Sequence, residues 1–294
     1  MGDGTRIAIK ELDDRVRALI GLRPPHKEIL GFCGAILKEQ LKAQAKIGSQ
    51  ADVTLDRSIT KGGRELPMLQ SLDVPIDFEA AKRLFRSLCR VAKGETQPLN
   101  EEIGKIQKAT RRGKIDMDRF LREMTRVTPT YTGEVSSSLG LNRDILIFLG
   151  RASIQPFLMK VASLVGDRVD LEGWTQGNCP ICGYPPSVSE LAETEGRRIL
   201  ICSLCGFEWK TGRMTCPFCS REDTEAHRYL FLEGDDAVRI DVCEVCKKYI
   251  KTIDVRKMGH RIFPVLEDIG TIHLDMLAQE EGYERGSPSF LEVG

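Results

Sequence analysis

The 294-residue sequence carries no surplus of charge, since 43 Lys and Arg stand against 43 Asp and Glu. With 41% hydrophobic and 29% charged residues, it is not a collagen-like, acidic-disordered or strongly basic chain. Aromatic residues are sparse at 6%, and too few interleave the basic residues to build a stacking platform for nucleic-acid bases. No uninterrupted apolar run reaches the roughly 20 residues of a bilayer span. The longest candidate, Ile145 to Val165, is broken by Arg151, Pro156 and Lys160 and is expected to be a buried helix. The N-terminus, Met1-Gly2-Asp3-Gly4-Thr5-Arg6, has neither the apolar core nor the cleavage site of a secretory signal. A cytoplasmic chain without membrane insertion is expected. No nucleophile is found with a base and oxyanion donors, so no catalytic residue is assigned and the chain reads as a non-enzyme.

The neutral total hides an asymmetry. Residues 1–178 hold 29 basic and 23 acidic side chains, whereas residues 179–294 hold 14 and 20. Eight of the ten cysteines lie between Cys179 and Cys246. The first part reads as helical. Ile9, Leu12, Val16 and Leu19 recur at helical spacing over about residues 6–21, and Pro24-Pro25 stops that helix. A second helix is expected from Lys27 to about Ile47, and the polar stretch Gly48 to Arg64 reads as loop. Asp77 looks like the N-cap of a helix ended by Gly94. Shorter helices are expected at about 100–112 and 115–127. Asn142 caps a last apolar helix, split or kinked at Pro156. Cys33 and Cys89 fall on apolar stripes and read as packing residues. The run Lys105, Lys108, Arg111, Arg112 and Lys114 reads as a solvated helix face, with a docking patch as the alternative. Lys61-Gly62-Gly63-Arg64 lacks the spacing and the Lys-Ser/Thr pair of a phosphate loop.

The C-terminal third carries four knuckles: Cys179-Pro-Ile-Cys182, Cys202-Ser-Leu-Cys205, Cys216-Pro-Phe-Cys219 and Cys243-Glu-Val-Cys246. Two residues between cysteines let a tight turn aim both sulfurs at one ion, and a second knuckle completes a tetrahedral shell. Intervals of 19, 10 and 23 residues favour pairing the first knuckle with the second and the third with the fourth; an interleaved pairing is the alternative. The expected ligand sets are Cys179, Cys182, Cys202 and Cys205 for one ion, and Cys216, Cys219, Cys243 and Cys246 for another. In a reducing compartment, disulfides inside each knuckle are disfavoured. Four thiolates leave no open position, so the ions are structural or carry single electrons. Zinc and iron both suit this shell. Glycines 183 and 206 follow the first two knuckles as in rubredoxin, whereas Ser220 and Lys247 follow the others and make the second site less rubredoxin-like. Modules this small need their metals, each worth on the order of 10 kcal/mol of folding free energy.

Trp209, Tyr229, Phe231 and Tyr249 are expected to pack the module cores, while His227, His260 and His273 have no partner motif. Pro264 starts a helix with Val265, Leu266, Ile269, Ile272, Met276 and Leu277 on one side, ended by Gly282 and followed by a tail from Gly286. The fold class is therefore α+β and multi-domain. An all-α domain over 1–175 precedes two tandem rubredoxin-like or zinc-ribbon modules of four cysteines each, at 176–212 and 213–262, and a C-terminal helix and tail over 263–294.

This order of features resembles the formate dehydrogenase accessory protein FdhE family. The resemblance rests on the four knuckles, on Gly206-Phe207-Glu208-Trp209 and on Tyr249-x-Lys251. It extends through Asp268, Leu274-Asp275, Glu281-Gly282-Tyr283 and Arg285, covering about residues 179–286. Before the knuckles it is confined to helical character and Gln155-Pro156-Phe157-Leu158. It implies a cytoplasmic maturation helper that binds the catalytic subunit of respiratory formate dehydrogenase, or a related molybdoenzyme, before export. It also implies iron in rubredoxin-like sites. An electron carrier to a molybdoenzyme and a zinc-ribbon nucleic-acid adaptor are the alternatives, the latter disfavoured by the acidic C-terminal part. Self-association is compatible with either reading.

Overall fold

Residues up to Gly166 form seven α-helices among the described residues, six of them expected from the sequence. The computed structural model describes residues 3–47, 76–166, 171, 174, 176–192, 194–234 and 237–290. The expected loop at 48–64 with its Lys61–Arg64 run lies outside the described residues, as does the end of the tail at 291–294. Helices α1 (Asp3–Leu22) and α2 (Lys27–Gln44) flank a 3-10 turn at Pro24–His26. Asp77 caps α3 (Phe78–Ala92) by accepting the Ala80 N–H at 2.8 Å. Helices α4 (Gln97–Arg111) and α5 (Met117–Glu123) follow, the latter capped by Asp116. Helix α6 (Tyr131–Leu139) is absent from the sequence reading. Its buried stripe of Tyr131, Thr132, Val135 and Ser136 is half polar and hides the apolar period.

Helix α7 (Arg143–Gly166) runs unbroken through Pro156. It is long and apolar enough to cross a bilayer, but 67% of its apolar window is buried within the protein. Pro156 has no N–H to give the Ala152 carbonyl one turn earlier. Gln40 of α2 supplies the missing donor, with Nε2 at 2.8 Å from the Ala152 oxygen and 2.9 Å from Gln155 Oε1. Asn142 caps α7 through the Ile145 N–H at 3.0 Å. Cys33 and Cys89 are buried among apolar side chains, and burial pushes the Cys89 thiol up to about 12. Packing is what these two cysteines do.

The helices through Val165 form one compact unit, and the chain from Gly166 to Phe290 belongs to another. In the second, strands β1 (Pro186–Ala192), β2 (Arg197–Cys202) and β3 (Glu208–Thr211) form an antiparallel meander. Strands β4 (His227–Leu230), β5 (Val238–Cys243) and β6 (Lys248–Asp254) form a second one. The modules do not stand apart. Val188 to Leu191 pair in parallel with Lys251 to Asp254, making one sheet in the order β3-β2-β1-β6-β5-β4. The two-residue strand β7 (Glu284–Arg285) pairs with the start of β6.

The expected C-terminal helix is two helices, α8 (Pro264–Gly270) and α9 (Ile272–Glu280). The break at Thr271 has a cause. Its hydroxyl donates to the Glu267 carbonyl at 2.7 Å, and Lys251 Nζ reaches the Asp268 carbonyl at 2.8 Å. The change of direction leaves Met276, expected on the apolar side, 57% exposed, while Leu274 and Ala278 face the core. Tyr229 and Phe231, expected in the module cores, are 60% and 66% exposed. Strand β4 lies at the sheet edge, where Tyr229 instead stacks under the Arg239 guanidinium. Trp209 and Tyr249 are buried as expected.

Four paired ions close this unit, Lys251 and Asp268 buried and Asp275 and Arg285 half-buried. Lys251 Nζ lies 3.0 Å from Asp268 Oδ1 and 2.5 Å from Asp275 Oδ2. Arg285 grips Asp268 at 2.8 Å and Asp275 at 3.0 Å. Tyr249 donates its hydroxyl to Asp275 at 2.8 Å. Two acids and two bases cancel within one cage spanning β6, α8, α9 and β7.

Gln40→Leu should orphan the Ala152 carbonyl and cost about 1–3 kcal/mol in denaturant unfolding. The same change in a Pro156→Ala background should cost clearly less, and equal costs would refute the coupling. Lys251→Met should cost about 3–5 kcal/mol by leaving buried carboxylates short of a cation. Burial alone would raise Asp268, but Lys251 and Arg285 outweigh it and hold the carboxyl below its usual range. Its contribution is therefore present above the unfolded pKa of about 3.9 and lost as pH falls through the lower folded value. Denaturation midpoints measured from pH 7 to 3 should fall less steeply for Asp268→Asn than for wild type.

Candidate metal centres

Each knuckle is a turn that closes on itself. The residue after the second cysteine donates its N–H to the first cysteine's carbonyl: Gly183 to Cys179 at 2.9 Å, Gly206 to Cys202 at 3.2 Å, Ser220 to Cys216 at 2.9 Å and Lys247 to Cys243 at 2.9 Å. These four residues take φ of 80°, 64°, 57° and 56°. Glycine accepts that left-handed conformation freely, whereas a side chain costs roughly 1–2 kcal/mol. Ser220 and Lys247 therefore build the same turn at a cost. The expectation of a less rubredoxin-like second site does not hold for its backbone. Lys247 is also held by its ion pair with Glu244 and by the Tyr283 ring beneath its ammonium.

Strand placement brings the knuckles together in sequential pairs. The first precedes β1 and the second joins β2 to β3; the third precedes β4 and the fourth joins β5 to β6. Cys179, Cys182, Cys202 and Cys205 gather at one point, and Cys216, Cys219, Cys243 and Cys246 at another, with each set of sulfurs within 4.8 Å of one another. In the first cluster, Cys179 and Cys205 lie 3.6 Å apart and Cys182 and Cys202 3.2 Å apart. In the second, Cys216–Cys246 and Cys219–Cys243 are both 3.7 Å. Four sulfurs about 2.3 Å from a central ion stand about 3.8 Å apart, so both sets fit a tetrahedral tetrathiolate shell. Backbone N–H groups of Leu204 and Cys205 point at Cys202 Sγ, and that of Phe218 at Cys216 Sγ, each at 3.4 Å.

Inside the first cluster, burial first of all, and then the Cys179 and Cys202 thiols, push Cys182 and Cys205 up. Burial opposes ionisation of Cys202 too, but thiol donors from Cys179, Cys182 and Cys205 converge on it and lower it. A cation at the centre would make four thiolates compatible, which is the chemistry of zinc or a single iron. His227 contacts the Arg221 carbonyl at 3.0 Å and belongs to neither cluster. His260 lies against the Arg261 carbonyl, and His273 sits half-buried on α9. The residues of the basic run, Lys105, Lys108, Arg111, Arg112 and Lys114, are all exposed, and Lys105 pairs with Glu102 on its own helix.

Two glycines matter that sequence reasoning passed over. A Cβ on Gly177 would lie 1.6 Å from the Pro217 carbonyl oxygen, so only glycine lets the approach to the first knuckle pass the third. A Cβ on Gly286 would meet the Phe218 ring at 2.1 Å. A glycine two residues before a Cys-x-x-Cys was the available signal for the former; for the latter there was none.

A family model described as "FdhE, central domain" matches residues 178–213, and one described as "FdhE, C-terminal domain" matches 214–291. A "Protein FdhE homolog" of Aquifex aeolicus is 29% identical over 286 residues, covering 95% of this chain and 93% of that protein. A "Protein FdhE homolog" of Enterobacter sp. is 32% identical over 140 residues, 46% of this chain and 44% of its own length. The crystal structure of the FdhE protein from Pseudomonas aeruginosa shares the fold with a TM-score of 0.65 at 19% identity, covering 97% of this chain and 95% of that one.

Ser220→Gly should raise the denaturation midpoint of the chain, by up to about 1 kcal/mol of relieved strain. Gly206→Ala should lower it by a similar amount. Unchanged midpoints in both would show that these turns carry no conformational cost.

Proposed function

The chain belongs to the FdhE family, and from that premise we propose that it is a non-enzymatic maturation factor for formate dehydrogenase. The observation that carries this reading is the match to an FdhE homolog along nearly the whole chain, helical part included. In this reading it binds the catalytic subunit of formate dehydrogenase, or of a related molybdoenzyme, in the cytoplasm before export. The helical domain over 1–175 recognises the client, and the modules at 176–212 and 213–262, closed by 263–294, form a rigid platform.

The eight knuckle cysteines hold one cation per cluster, structural or redox-sensing. A tetrathiolate ion supplies cross-linking of two knuckles and, if it is iron, a one-electron couple. The chain's own contribution is to pre-arrange the sulfurs, to aim N–H donors at Cys202 and Cys216, and to fix both hairpins in one sheet. One feature favours a second reading, that of an electron carrier: Cys219 of the second cluster is exposed. Iron in the purified protein with reversible bleaching of its colour would support the carrier, and a colourless zinc protein from metal-replete cells would exclude it.

Deleting the gene should abolish formate dehydrogenase activity while the client polypeptide is still synthesised. Full activity in the deletion strain would defeat the proposal. Cys202→Ala should lose one metal equivalent and unfold at least the first module. Unchanged metal content and thermal stability would contradict the ligand assignment.

A further inference from the structure

The two clusters are built alike but sit differently toward solvent. In the first, every sulfur ligand is sealed: Cys179, Cys182, Cys202 and Cys205 are 0%, 1%, 3% and 1% exposed. In the second, Cys216 and Cys243 are buried, Cys246 is half-buried and Cys219 is exposed. Topology explains the contrast. The third knuckle precedes the edge strand β4, whereas the first knuckle precedes β1 in the middle of the sheet. Two apolar side chains of these knuckles are also exposed, Val245 between the two cysteines of the fourth and Met214 two residues before the third. Both turns of this cluster carry a side chain, Ser220 or Lys247, in the left-handed region. Each therefore gains conformational freedom when its cysteine lets go.

We propose that the second cluster is an exchange site, at which Cys219 and then Cys246 release and rebind while the first cluster stays shut. Its reactants are soft: thiophilic divalent cations and chelators that compete for them, and small neutral electrophiles. On release, the Cys219 sulfur either takes a proton from water or attacks an incoming electrophile. With a maleimide, the sulfur adds across the carbon–carbon double bond and the resulting carbanion takes a proton from water, so nothing is oxidised. The first cluster then serves as the permanent cross-link of the unit.

The inference rests on the tetrathiolate reading above, and one experiment separates the two. The full-length protein is purified anaerobically and its metal content measured. It is then treated under native conditions with N-ethylmaleimide in the presence of 4-(2-pyridylazo)resorcinol, with peptide mass spectrometry over time. Cys219 should be modified about tenfold or more faster than any cysteine of the first cluster. One metal equivalent should be released in step with it, while the other stays. Equal modification rates in the two clusters, earlier modification of the first, or joint release of both metals would overturn the exchange site. A metal content below two equivalents would count instead against the tetrathiolate reading, and the ratio of modification rates would still judge the difference in access. Cys219→Ser should keep one equivalent, and loss of both would overturn the independence of the clusters.

Discussion

The unit that carries both cysteine clusters depends on a buried balance of charge. Lys251 and Arg285 face Asp268 and Asp275 in a space from which water is nearly excluded. Removing a charge from water costs several kcal/mol, and the cost is offset only when each ion is both paired and hydrogen-bonded. That condition fixes geometry. Arg285 must come back from the end of α9 to reach both acids, Tyr249 must stand beside Asp275, and the helix must break after Gly270 so that Lys251 can take the Asp268 carbonyl. Apolar packing alone would tolerate a helix sliding along the sheet. Four ions do not.

The cysteine turns solve a separate problem. Meanders of three short strands cannot bury enough apolar surface to fold by themselves. The chain meets this by fusing two of them edge to edge and by placing a set of four sulfurs at the end of each. Polar side chains cross the seam: the hydroxyls of Ser189 on β1 and Thr252 on β6 meet at 2.5 Å, Thr252 donates on to Asp241 of β5 at 2.7 Å, and Arg198 of β2 lies 3.3 Å from that carboxylate. The seam between the modules is therefore held by side chains as well as by backbone pairing.

Much of this was legible in the sequence because its causes are local. Cys-x-x-Cys spacing reports a turn, Asp77 and Asn142 report helix starts, and the stripe of Leu84, Phe85 and Leu88 reports a buried face. What was not legible was set by distant partners. The parallel pairing of β1 with β6 joins Val188 to Lys251, and no periodicity announces it. The break at Thr271 depends on an ammonium from β6. Tyr229 looks like a core residue until the strand that holds it proves to be the edge, and Phe231 follows directly after that strand. Helix α6 was missed because Thr132 and Ser136, buried among apolar neighbours, look like surface residues. Pro156 signals a split or a kink in the sequence because the donor that replaces its N–H, Gln40, comes from another helix.

The pairing of β1 with β6 also sets an order of events during folding. The first strand of the sheet finds its long-range neighbour only after the last long strand exists, 63 residues later at the Val188–Lys251 pair. Loop closure over such a separation is paid before the contacts that reward it, which makes assembly slow compared with hairpin formation. The hairpin of the first module can therefore form early, but its outer edge stays open to solvent until synthesis has passed Arg285 and the ion cage can close. A chain cut short before that point would hold a formed cysteine cluster beside an unpaired strand edge, a template for pairing with other chains.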